Sequence, residues 1–145
     1  MAFELFPDLA QKTEITNLKL CNVRLEDNRL YPWVFLIPRR EGVKNMTFLP
    51  MDDRLQLMRE IALAENVMAR IFPHDQMNVA MIGNMTPQLH VHVLCRRSGD
   101  PDWPDTVWNK HSEPYAPNDK GKIIAAIRQA IEIEKNKPEY NQNDC

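Results

Sequence analysis

Three polar side chains at alternate positions, Gln88, His90 and His92, follow the segment Gly83-Asn84-Met85-Thr86-Pro87 and interleave with Leu89, Val91 and Val93. At the two-residue period of a strand, the apolar three share one face and the polar three share the other. Alternate residues on a strand lie about 6–7 Å apart, from a rise of roughly 3.3 Å per residue. That spacing suits three groups closing on one tetrahedral anion. An imidazole can act as nucleophile, as acid or base, or as cation near neutral pH. Gln88 can donate hydrogen bonds but shuttles no proton. Backbone N–H groups of the preceding turn can cup phosphate oxygens. Two other readings fit the same pattern. One is a polar strand face turned to water. The other is a His-x-His metal pair, for which Gln88 is a poor third ligand and His74, His111 or a distant carboxylate would have to complete the set.

The elements that must position this face can be read from the rest of the chain. At 145 residues and 17.0 kDa it has the size of one domain with one core. With 43% hydrophobic and 26% charged residues, it has the composition of an ordinary globular protein. A net charge of -2 and a pI near 6.1 argue against a protein that lives on nucleic-acid backbone, so phosphate chemistry would come from a local site. The first residues carry no basic region followed by an apolar stretch, and no apolar run approaches the roughly 20 residues of a membrane span. Cys21, Cys95 and Cys145 are odd in number and lack paired spacing, which points away from disulfides and zinc ribbons. A reducing, cytoplasmic setting is the expectation.

Residues 1–14 read as a short helical entry, with Pro7 and Asp8 in its first turn. The segment 18–25 alternates as a half-buried strand, 27–29 breaks it, and the apolar run 33–37 between Pro32 and Pro38 reads as a buried strand, making a hairpin. Asp52 or Asp53 can cap a long helix reaching Phe72, with Leu57, Ile61, Ala64, Met68 and Ile71 inward and Arg59, Glu60 and Arg70 outward. Its methionines read as core packing. A strand over 76–82 and the turn 83–87 lead into a strand from Gln88 to about Arg96. The proline-rich loop 98–118, holding Trp103, Trp108 and Tyr115, is either a binding loop or a stiff cover over the core. A helix over 119–135 places Ile124, Ile127 and Ile131 on one face, and the polar tail from Asn136 is expected to fray. His74 is expected at the surface; so is His111, although the long loop could also bring it to the site. Short connections between neighbouring strands give an α+β class, an antiparallel sheet with helices on one face.

Gly-Asn-x-x-Pro-Gln-x-His-x-His over 83–92, with Asp100-Pro-x-Trp103-Pro after it, resembles the histidine triad (HIT) superfamily, in particular a bacterial hydrolase-like branch with Gln at the first triad position. Trp103-Pro104 is similar to a Trp-Pro of the Hint branch. The resemblance runs over roughly 15–108, with 109–135 a C-terminal loop and helix and 136–145 the tail of a single domain. It implies a HIT-like antiparallel sheet carrying one long helix and a C-terminal helix, paired into a homodimer. It also implies a hydrolase or nucleotidyl transferase, hydrolase favoured, acting on the α-phosphate of a nucleoside phosphoester, anhydride or phosphoramidate. By that resemblance His90 attacks phosphorus to form a nucleotidyl-histidine, and His92 and Gln88 assist. Nucleotide contacts fall on Asp27 or Asn28, on Asn78, on Asn84 and on the backbone of Met85. No metal or cofactor is implied as part of the protein, although polyphosphate substrates could bring magnesium. Nucleic acid and membranes are not implied partners. Two departures stand out. Gln88 replaces a histidine, whereas the galactose-phosphate uridylyltransferase branch carries its Gln at the last triad position. Trp33 stands where other branches have an upstream histidine, and it can equally be core. The alternatives are a non-catalytic nucleotide-binding module and a metal-dependent hydrolase. Trp103 and Trp108 could stack on a base, meet a partner subunit, or pack.

Overall fold

The apolar run at 33–38 lies at the centre of a five-stranded antiparallel sheet, and all six of its residues are buried. The computed structural model describes residues 3–142; Met1 and Ala2 of the expected entry helix, and residues 143–145 with Cys145, lie outside the described residues. The strands are β1 (Thr13–Asn17), β2 (Cys21–Leu25), β3 (Trp33–Pro38), β4 (Gln76–Ala80) and β5 (Val91–Arg96), in the spatial order β1-β2-β3-β5-β4. Helices α1 (Pro7–Ala10), α2 (Met51–Ile71) and α3 (Pro117–Glu134) complete the main elements. No helix among the described residues is long and apolar enough to cross a membrane.

The register fixes which side chains share a face. Val34 pairs with Leu25 and Val93, and Leu36 pairs with Val23 and Val91. These residues meet Leu57, Leu63, Val67 and Met68 of α2 and Ile127 and Ile131 of α3 in one core. Burying each such side chain contributes about 1.5–3 kcal/mol. On the opposite face, Trp33, Phe35, Ile37 and Leu94 form a second cluster with Leu9, Tyr31 and Val107. Phe3 and Leu5 pack against it, so the N-terminal segment lies across this second face. The helices α2 and α3 therefore cover one side, as expected, and the chain's own beginning covers part of the other.

Several expectations are corrected. Among the described residues of the entry segment only Pro7–Ala10 is helical; Thr13–Asn17 pairs with β2 as an edge strand, with a register shift between Glu14 and Thr16. Alternation over 18–25 marked a strand that begins only at Cys21. Pro50, not Asp52 or Asp53, is the N-cap of α2, and the two aspartates sit in the first turn, where they favour the helix dipole. Glu60 does not face outward. It is fully buried, and its carboxylate accepts the backbone N–H groups of Leu20 (2.9 Å) and Cys21 (2.8 Å) and the amides of Gln56 and Gln142. Four donors around one carboxyl group explain how so polar a side chain is accommodated on a core-facing position. The tail is also ordered through residue 142: Pro138–Tyr140 forms a 3₁₀ turn, Tyr140 is 3% exposed, and Gln142 reaches Glu60 and the Lys19 N–H. β4 ends at Ala80, and the paired part of β5 starts at Val91, so Gln88 to His90 precede the ladder. α3 begins two residues early, at Pro117, where a proline suits the first helical turn.

Candidate active site

His90 and His92 lie on the second face, buried to 6% and 5% exposure, with ring centroids 5.0 Å apart. His92 pairs directly with Phe35 across the ladder, and their rings are 4.9 Å apart. Leu89, Val91 and Val93 point into the helix-covered core, so the face assignment read from alternation holds. The two histidines help line a cavity of about 470 Å³. Its other walls come from the N-terminal segment (Asp8, Leu9, Lys12), the turn Asn84–Thr86, Glu26 and Asn28 after β2, and the loop 107–112.

Hydrogen-bond partners assign opposite tautomers to the two rings. The Nδ1 of His90 lies 2.7 Å from the Gln88 carbonyl oxygen, which can only accept. The proton is therefore on Nδ1, and Nε2 carries a lone pair, the state required of an attacking nitrogen. His92 shows the reverse. The indole Nε1–H of Trp33 donates to its Nδ1 at 3.1 Å, and that of Trp108 approaches the same atom at 3.5 Å. An indole only donates, so Nδ1 is the acceptor and Nε2 holds the proton. That Nε2 is buried, and the Ile82 backbone carbonyl is at most a weak acceptor for it, outside good hydrogen-bond geometry. Burial first, then the neighbouring His90 and Lys12, lowers the pKa of His92 from 6.5 to about 3, with the Ile82 carbonyl working in the opposite direction. His92 is thus a neutral donor at physiological pH. Trp33 has a polar role beyond packing: it fixes this tautomer.

Gln88 lies on the same side of the sheet but does not line the cavity. Its Oε1 accepts the Phe6 N–H at 2.9 Å and its Nε2 donates to the Glu4 carbonyl at 2.8 Å. Asp8 accepts a hydrogen bond from Thr86 at 2.9 Å, a second tie between the entry segment and the turn. Asn84 and Met85 sit at the cavity rim, Met85 at 87% exposure. Asn28 lines the cavity, but its amide is engaged with the loop: it donates to the His111 carbonyl and accepts from Leu30 and Glu113. Asp27 is turned away, accepting the Tyr115 N–H and pairing with Lys120. Asn78 accepts from Arg96 and lies in a separate groove with Trp103 and Asp105. Trp108 lines both spaces, and its ring meets His92 edge-on at 5.3 Å. His74 is exposed. Among the described residues no three His, Cys, Asp or Glu side chains cluster as metal ligands.

Sequence reasoning missed two parts of the site and set a third, His111, aside in favour of solvent. Lys12 pairs with Glu26 at 2.8 Å and lies over the Phe35 ring, placing an ion pair in the cavity wall. The N-terminal segment forms a wall of its own. His111, expected at the surface, has a side chain 62% exposed and also lines the cavity, with Nδ1 2.8 Å from Asp102. The usable signal was a histidine nine residues after an aspartate in a loop rich in aromatics and prolines.

Comparison with known proteins agrees with this fold. Residues 10–99 match the HIT domain model. A histidine triad protein from Bradyrhizobium japonicum is 34% identical, with a TM-score of 0.87 over 90% of this chain and 99% of that one. One from Marinobacter aquaeolei VT8 is 34% identical, with a TM-score of 0.87 over 92% and 98%. One from Sinorhizobium meliloti 1021 is 33% identical, with a TM-score of 0.85 over 88% and 96%. A search of the curated proteins found no match. The model match covers well over half the sequence, and the buried His-x-His strand lies within it; the chain belongs to the HIT domain family.

Proposed function

We propose that the protein is a hydrolase or nucleotidyl transferase, hydrolase favoured, which cleaves a bond at the α-phosphate of a nucleotide through a covalent nucleotidyl-His90. The observation that carries the reading is the His90 hydrogen bond to the Gln88 carbonyl, which leaves a lone pair on Nε2 of a ring lining the cavity. In the first step Nε2 bonds to phosphorus as the bond to the leaving group breaks. In the second, water or another acceptor attacks phosphorus and the electron pair returns to Nε2. Splitting the displacement replaces one difficult step by two easier ones. His92 contributes its Nε2–H as a neutral donor to a phosphoryl oxygen, and the Asn84–Met85 turn supplies the rim for the nucleotide. Gln88 acts through the wall it holds, and the carbonyl of the same residue orients His90.

A nucleotide-binding module without turnover is the competing reading, favoured by one observation: the amide of Gln88 is engaged with the main chain at Glu4 and Phe6. The two are separated by incubating the protein with nucleoside 5′-phosphate esters, quenching in alkali and measuring intact mass. An added nucleotide mapped to His90 is expected. Calorimetric binding with neither adduct nor product would establish the module instead.

A further inference from the structure

A covalent phosphoryl transfer needs a proton for a poor leaving group, and the face that carries His90 does not offer one. His92 is held neutral by Trp33 and by burial, and the Gln88 amide is bound to the N-terminal main chain. Lys12 is tied to Glu26, and an ammonium is in any case a weak acid at neutral pH. Across the cavity stands the loop 107–113, which has the character of a built wall. Val107 is buried, Trp108 packs edge-on against His92, Asn109 adopts positive φ, and the Asn28 amide grips the His111 carbonyl.

His111 is oriented as well as present. Asp102 accepts a hydrogen bond from its Nδ1 at 2.8 Å, which leaves Nε2 as the ring's free nitrogen. Asp102 is itself fixed: Tyr31 donates to its other oxygen, and its N–H donates to Asp100, which pairs with the buried Arg96 at 2.8 Å. The Tyr31 hydrogen bond first, and then that of His111, hold the Asp102 carboxyl below its usual range. The framework therefore runs from the end of β5 through Asp100 and Asp102 to a ring lining the reaction cavity.

We propose that His111 is the general acid of the first step and the general base of the second, held by Asp102 as a positioning residue. The inference rests on the nucleotidyl-His90 reading above. As the His90 nitrogen bonds to phosphorus and the bond to the leaving oxygen or nitrogen breaks, the His111 Nε2–H passes its proton to that departing atom. His111 is then neutral and takes a proton from the attacking water as the P–N bond breaks, returning to its starting state. Atoms and charge balance without a further reactant. The charged and titratable groups facing His111 are Asp102 and Lys110 on its own loop, and Lys12, Glu26, Asp8, His90 and His92 across the cavity.

The test compares two esters of nucleoside 5′-monophosphates, in each of the four common ribonucleosides. One has p-nitrophenol as leaving group, which departs without a proton; the other has a simple alkyl alcohol, which requires one. In single-turnover formation of the nucleotidyl-His90, replacing His111 with Gln is expected to slow the alkyl ester by about 10²–10⁴-fold while changing the nitrophenyl ester by less than about 3-fold; hydrolysis of the adduct, common to both esters, is expected to slow as well. The alkaline fall in the wild-type rate on the alkyl ester should vanish in the variant, and free imidazole should restore part of the rate to His111→Ala. Equal slowing of adduct formation from both esters, or an unchanged alkyl rate of that step, overturns the role of His111 and leaves the His90 mechanism standing. Wild-type protein that forms no adduct and turns over neither ester in any nucleoside overturns both.

Discussion

The two faces of the sheet use the same central strands for opposite ends. On the helix-covered face, Val23, Val34 and Leu36 meet the helices around a cavity of only about 10 Å³. On the other face, Trp33, Phe35, His90 and His92 border a cavity of about 470 Å³. Both are buried, and alternation along β3 and β5 assigns each residue to one or the other. On the first face, water is excluded so that apolar surfaces can touch. On the second, its exclusion sets protonation: two imidazoles two residues apart are given different tautomers by a carbonyl and an indole. Exposure alone therefore does not distinguish a structural strand face from a chemical one. The distinction lies in what the buried polar atoms are bonded to.

Four substitutions break this contrast, in descending size. Replacing His90 with Ala should lower turnover by at least about 10³-fold, or about 4 kcal/mol in the barrier. Steady-state kinetics with an activated nucleotide ester measures this, and the urea midpoint should stay near wild type because the ring borders a cavity. Leu36→Ala does the converse on the other face: about 2–5 kcal/mol of stability lost in urea melts, with kcat per folded molecule retained. Glu60→Gln places an amide donor where the Leu20 and Cys21 N–H groups need an acceptor, and should cost about 1–3 kcal/mol with turnover unchanged. The smallest effect, counted per pH unit, is a pH dependence. His92 stays neutral in the folded state down to about 3, whereas in the unfolded chain it takes a proton at its ordinary 6.5. Between those values the unfolded state binds the additional proton. The contribution is therefore complete above 6.5, falls with acidification at up to about 1.4 kcal/mol per pH unit, and is gone once the pH passes below about 3. Urea midpoints between pH 4 and 7 should show this slope in the wild type and a flatter one in His92→Asn.

Period and composition made the central strands, the two main helices and the His-x-His face legible, because one side of each element is apolar at a regular spacing. Thr13–Asn17 escaped notice because it is an edge strand with a register shift and one buried residue, Ile15, so its pattern is weak. Glu60 was misplaced because helical spacing identifies a direction and not a partner; its donors come from Leu20 and Cys21, far away in sequence. The same holds for the site. His90 and His92 share a strand, so two-residue spacing brings them together. His111, Lys12 and the Trp33 contact to His92 depend on loops and registers that no local pattern encodes. Asn28 lines the cavity, and the work of its amide is to fasten the loop.

The Gln88 amide has a consequence for how this sequence can vary. By accepting one N–H and donating to one carbonyl, it impersonates a peptide unit, giving residues 4–6 the neighbour that a missing strand would supply. Position 88 and that segment therefore form one coupled unit of sequence change. A histidine introduced at 88 alone would not rebuild a three-histidine face; it would first unfasten the chain's beginning from the sheet. A chain whose first residues ran elsewhere would leave the position free to take part in the chemistry.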